Sequence, residues 1–217
     1  MSDTDLTEAV TPDLPEGFEL LEGGAVRCVF ARPVSLSYKD QAGAVVRAEE
    51  FAEVTLNRLH GSDVMALMDA KGIDPETFLL AAATGMPRMK LRMLLAAMDA
   101  ADLTDLREVF NDMLGLGDGL PDNASVQDDG TVALDLRPPA TDDKGAAVDR
   151  LVFRRLNGGD LNAIGAARNG TIVAVVRAAG LTQASASAVL SGMDAADYRG
   201  VQRVVRFLST SSRRTGR

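Results

Sequence analysis

Met98-Asp99-Ala100-Ala101-Asp102 recurs as Met193-Asp194-Ala195-Ala196-Asp197, and the recurrence extends well beyond these five residues. Setting Phe51–Lys71 against Val148–Arg168 puts Arg58-Leu59 on Arg155-Leu156 and Gly61 on Gly158. Asp63 then falls on Asp160, Ala66 on Ala163 and Ala70 on Ala167. The second copy loses two residues, after which Gly85 meets Gly180 and Leu95 meets Leu190. Leu103, Leu106, Val109, Phe110 and Met113 run parallel to Tyr198, Val201, Val204, Val205 and Leu208. So ordered a series identifies a duplicated supersecondary unit and constrains the fold more than any single motif does.

Each copy opens with alternating residues: Val26, Cys28 and Phe30 before Arg32-Pro33, or Val132, Leu134 and Leu136 before Arg137-Pro138-Pro139. Period-two alternation predicts a strand, and proline stops it or confines it to an edge. A turn region (Lys39–Gly43 or Asp142–Gly145) leads to a second strand, Val54–Leu59 or Leu151–Leu156. Helices are predicted after Gly61 and Gly158: Ser62–Ala70 and Gly159–Ala167, Pro75–Ala83 and Thr171–Ala179, Pro87–Ala97 and Thr182–Ser191. A last helix starts near Asp99 or Asp194, and Gly85 and Gly180 are placed to end the second of each set. The fold class is therefore α+β, mainly α: two tandem modules, each a β-hairpin followed by about four short helices. The boundaries are an acidic flexible arm 1–24, modules 25–115 and 131–209, a Gly/Pro/Asp linker 116–130 and a basic disordered tail 210–217.

Composition supports a helical, close-packed core: 46% of the 217 residues are hydrophobic, only 4% are aromatic, and Trp is absent. No apolar run approaches the ~18–20 residues of a membrane span. The acidic N-terminus has no signal-peptide pattern, so a soluble cytoplasmic protein is expected. Net charge is −8, but it is divided: residues 1–118 hold 21 acids and 10 bases, residues 119–217 hold 10 acids and 13 bases. Such polarity can steer a partner or a second copy of the chain, unless both ends are simply solvated tails.

Candidates for chemistry are few. His60 is the only histidine and its repeat counterpart is Asn157, which suits a helix-start residue better than a catalyst. Cys28, alone of its kind, sits in an alternating strand and reads as a buried structural thiol. Asp99, Asp102, Asp194 and Asp197 are accounted for together as carboxylates at helix N-termini. Gly115-x-Gly117-x-Gly119 follows a helix and precedes Pro121, the wrong context for a nucleotide loop. Asp118, Asp122, Asp128 and Asp129 lack calcium-loop spacing. No metal, cofactor or enzymatic activity is expected. A helix-turn-helix over Leu181–Gly192 and the following helix is opposed by Ser187 and Ser191, at positions that motif keeps apolar, and by the net charge.

Methionine is distributed unevenly, with Met65, Met68, Met86, Met89, Met93, Met98 and Met113 all in the first module. Met65 corresponds to Asn162 and Met89 to Ala184, so both are expected at the surface. They are the candidate partner-binding residues, because flexible methionine surfaces accept varied apolar helices; ordinary core filling is the alternative.

A hairpin, a short helix, a Gly-ended helix and Met-Asp-Ala-Ala-Asp running into Val201-x-x-Val204-Val205-x-Phe207-Leu208 make a distinctive series. It resembles the tail assembly chaperones of contractile-tailed bacteriophages, the E-type family of P2-like and Mu-like phages. Glu53–Leu67 with Leu94–Met113, and Arg150–Ile164 with Leu181–Leu208, carry the resemblance. Members usually hold one such module; this chain holds two. The resemblance implies a protein of the bacterial host cytoplasm that binds and solubilises the tape measure protein, helps recruit tail tube subunits and is absent from the mature virion. Its partners would be the tape measure and tail tube proteins, with self-association possible and no nucleic acid or membrane. A structural tail or neck protein, or a helix-turn-helix regulator, are the alternatives.

Overall fold

The computed structural model describes residues 14–210. Strands β1 (Phe18–Leu20), β2 (Val26–Lys39) and β3 (Val45–Leu56) form one antiparallel sheet, with a 3-10 turn, Glu22–Gly24, between the first two. Helices α1 (Gly61–Asp69), α2 (Pro75–Thr84), α3 (Arg88–Ala97) and α4 (Ala100–Met113) follow. The order then repeats: β4 (Ala124–Val126), β5 (Val132–Thr141), β6 (Ala147–Phe153), α5 (Gly158–Ala166), α6 (Gly170–Ala179), α7 (Gln183–Gly192) and α8 (Ala195–Thr210). The protein is thus α+β, with two modules of a three-stranded antiparallel sheet followed by four helices.

Local chemistry explains the helix boundaries. Asp74, Asn169 and Thr182 each accept a hydrogen bond from the backbone N–H three residues on, capping α2, α6 and α7. Gly85 and Gly180 end α2 and α6 in the left-handed region, at φ +66° and +72°. The two hairpin turns are built alike: Asp40 Oδ1 accepts from Ala42 and Ala44 N–H, and Asp142 Oδ1 from Lys144 and Ala146 N–H.

Two expectations need correction, and the linker has a feature that the sequence did not show. Each sheet has a third strand where an arm or a linker was expected: β1 lies within residues 1–24, and β4 within 116–130. Neither three-residue strand has room for a periodic signal; each exists because β2 or β5 offers it an edge. The prolines do not end their strands. Four residues, Phe30–Pro33, bulge opposite Ala52 alone, and Leu136–Pro139 bulge opposite Asp149 alone, before pairing resumes. A bulged residue is left out of the ladder, so proline's missing N–H costs nothing there. Finally, the start of the linker is held in place. The Arg203 guanidinium on α8 donates to the carbonyls of Gly115, Asp118, Gly119 and Leu120 at 2.9–3.2 Å. Of the acidic arm and basic tail, residues 1–13 and 211–217 lie outside the described residues.

One continuous apolar core runs through both modules. Its spine is α8, whose Tyr198, Val201 and Val204 are wholly buried. Helix α1 of the first module packs on α7 and α8 of the second.

Candidate binding surfaces

The repeated Met-Asp-Ala-Ala-Asp segment organises both modules. Asp99 and Asp194 cap α4 and α8, accepting from Ala101 and Ala196 N–H at 2.9 Å. Asp102 and Asp197 do more than complement a helix dipole. They are buried and reach the strand bulge: Asp102 Oδ1 accepts from Ala31 N–H at 3.2 Å, and Asp197 Oδ2 from Arg137 N–H at 2.8 Å. The carboxylate satisfies a backbone donor that the bulge frees, tying sheet to helix.

The two anchors are unequal. Asn123 Nδ2 donates to Asp197 Oδ1 at 2.8 Å. Gly17 holds the equivalent place in the first module, its carbonyl accepting from Val29 N–H as that of Asn123 accepts from Asp135 N–H. Having no side chain, it leaves Asp102 Oδ2 buried without a hydrogen-bond partner. Burial pushes the Asp197 carboxyl above its ordinary pKa, against the lowering effect of its two hydrogen bonds.

Asp194 has a further partner that its counterpart lacks. It is 4% exposed, and Arg58 Nε of the first module meets its Oδ2 at 2.9 Å. Around this pair the modules exchange backbone hydrogen bonds: Gly61 N–H donates to Met193 O at 2.8 Å and Ala195 N–H to Leu59 O at 2.9 Å. A Cβ on Gly61 would stand 1.8 Å from Leu190 O, so only glycine permits the approach. His60 forms a bridge to Asp194 within this seam, and its N–H donates to Asp63 Oδ2 at 2.9 Å.

The two methionines singled out from the sequence lie apart. Met89 is 69% exposed, beside a groove of about 520 Å³ that Asp74, Arg88 and Arg92 also line. Met65 is half-buried and packs on the core, at a cleft of about 340 Å³ shared with Met68, Arg168 and Ser191. Its counterpart Asn162 misled because only the first module's α1 is covered by the other module; equivalent positions therefore meet different surroundings. Met68, which the repeat comparison did not select, is 50% exposed.

Cys28 is fully buried, and burial pushes its thiol up to about 12, so thiolate chemistry is suppressed at neutral pH. Among the described residues no three His, Cys, Asp or Glu side chains gather as metal ligands would. No single helix among them is long and apolar enough to cross a membrane. Comparison of the chain with protein-family models, curated proteins and solved structures yields no match.

Proposed function

We propose that the chain is a tail assembly chaperone of the kind its sequence resembles, and that it holds amphipathic helical segments of a tape measure protein. The observation that carries this reading is the exposure of methionine over open grooves: Met89 at 69% and Met68 at 50%, the latter beside half-buried Met65. Unbranched, polarisable side chains in that position can re-pack as the residues of a long helix vary along its length. A long helix also needs its apolar stripe covered until the tube closes around it, and surface area serves that need without bond chemistry. Recruitment of tail tube subunits and absence from the mature virion belong to the same proposal.

The regulator alternative faces a physical obstacle. The turn into α8 is buried, with Met193–Ala195 hydrogen-bonded to Leu59 and Gly61, so the start of a recognition helix would not reach a DNA groove. The test is co-expression with the tape measure protein of the same genome, comparing wild type with Met68→Asp/Met89→Asp. Met89 is exposed; Met68 is 50% exposed and its sulfur accepts from the buried Tyr198 hydroxyl at 3.8 Å, a role that an Asp carboxylate can take over, so the double variant should fold. It should leave much more of the tape measure protein insoluble than wild type does. Equal solubility in both would remove the methionine surfaces from the proposal, and failure of wild type to co-purify with the tape measure protein would overturn the chaperone reading.

A further inference from the structure

The contact between the two modules is one-directional. The Arg58–Gly61 loop and α1 of the first module dock on the Met193–Ala195 junction of the second. Because the modules are repeats, each also carries the half of the interface that it does not use here. The second module has the loop, Arg155-Leu156-Asn157-Gly158, and the first has the junction, Met98-Asp99-Ala100.

We infer that a second copy of this chain docks head to tail, its Arg155–Gly158 loop and α5 seated on the Met98–Ala100 junction of the first copy. This inference is independent of the tape measure proposal. Four observations support it.

Both unused halves keep the backbone conformation of the used ones. Asn157 lies at φ −102°, ψ 173°, against −102°, 163° for His60. Met98 and Asp99 end α3 and start α4 in extended geometry, as Met193 does after α7, and the Asp99 cap repeats the 2.9 Å bond of Asp194.

Charge is complementary. Arg155 packs beside Gly130 as Arg58 packs beside Gly24, so the guanidinium is carried in the same place. Asp99 is exposed, and among the described residues neither Arg155 nor Asp99 has an oppositely charged side chain within 4.0 Å.

The apolar faces stand ready. Val64 on α1 is 2% exposed in the used interface, whereas its counterpart Leu161 on α5 is 39% exposed. On the receiving side, Ala195 is buried and its counterpart Ala100 is exposed.

Glycine supplies the last observation. Gly61 is required by the approach of Leu190 O, yet a Cβ on Gly158 would meet nothing within 4 Å. Nothing inside one chain demands glycine at position 158, but a second copy's Leu95 carbonyl would. An interface of this heterologous kind joins copies into an open chain or a ring, since each copy offers one unused loop and one unused junction.

The test uses the full chain in sedimentation velocity at rising concentration. Wild type should show a mass that increases with concentration. Gly158→Ala should stay monomeric with unchanged thermal stability, because its methyl group enters open space in the monomer and a carbonyl in the contact. Ala100→Arg should stay monomeric too, through bulk and repulsion of Arg155. Mixing the two variants should restore one intact interface and give a 1:1 dimer and nothing larger. A wild type monomeric at about 1 mM overturns the inference. So does a Gly158→Ala protein that associates like wild type, or a mixture of the two variants that stays monomeric.

Discussion

Removal of the Asp197 carboxylate should destabilise the protein more than the same change at Asp102, although both stand at the same point of the repeat. Asp197 accepts two hydrogen bonds at 2.8 Å, from Arg137 N–H and Asn123 Nδ2. Asp102 accepts one at 3.2 Å, and its other oxygen has no partner. Hydrogen bonds to a charged group contribute roughly 1.5–3 kcal/mol each, and truncation strands two buried donors in the first case and one in the second. The cost of burying the Asp197 charge, visible in its raised pKa, offsets part of the gain. Asp197→Ala should therefore lose about 2–4 kcal/mol, and Asp102→Ala about 1 kcal/mol. For a chain of this size the larger loss corresponds to a Tm lower by roughly 5–12 °C. Urea unfolding followed by far-UV circular dichroism measures both. Asp102→Ala costing as much as Asp197→Ala, or Asp197→Ala falling within about 0.5 kcal/mol of wild type, would refute the anchor argument. Inserting the missing partner should not help: at Gly17 φ is +86° and a Cβ would stand 2.8 Å from Val29 O, so Gly17→Asn should destabilise.

The remaining predictions concern pH, the linker, the seam and the thiol. Because the folded pKa of Asp197 is the higher one, the stability linked to it is complete below the unfolded value and lost as pH rises through the folded value. The stability of wild type relative to Asp197→Asn should accordingly fall as pH rises through that window, and a pH-independent difference would contradict it. Arg203→Ala removes four contacts to linker carbonyls, so limited proteolysis should cut between Gly115 and Pro121 much faster than in wild type; equal rates would show that the clamp is dispensable. Gly61→Ala should lower the Tm by more than 5 °C through the Leu190 carbonyl, a cost of at least about 2 kcal/mol, and an unchanged Tm would mean the seam can open freely. Cys28 should be inert to a thiol reagent in native buffer and react stoichiometrically in urea; rapid native labelling would contradict its burial.

The sequence by itself determined what is decided within a few residues. Caps at Asp74, Asp99 and Thr182, and left-handed glycines at 85 and 180, act across one helical turn. Helix boundaries, the presence of a hairpin in each module and the duplication were therefore legible, whereas the second strands run Val45–Leu56 and Ala147–Phe153, starting and ending earlier than the expected Val54–Leu59 and Leu151–Leu156. Longer-range features were not. Strands β1 and β4 are too short for any pattern and take their form from a neighbouring edge. Asp102 and Asp197 were legible as helix-start residues, but their partners lie 71 and 60 residues away, and no local signal marks a strand bulge as the acceptor's target. Arg203 carries no local signal of its role, because the linker carbonyl it binds at Gly119 lies 84 residues away in the chain. The sharpest division falls between Gly61 and Gly158. Their local sequences match, yet one is sealed in the seam and the other is open, because only one module's loop finds a junction within its own chain. A repeat specifies each surface twice; the tertiary structure alone decides which copy is used.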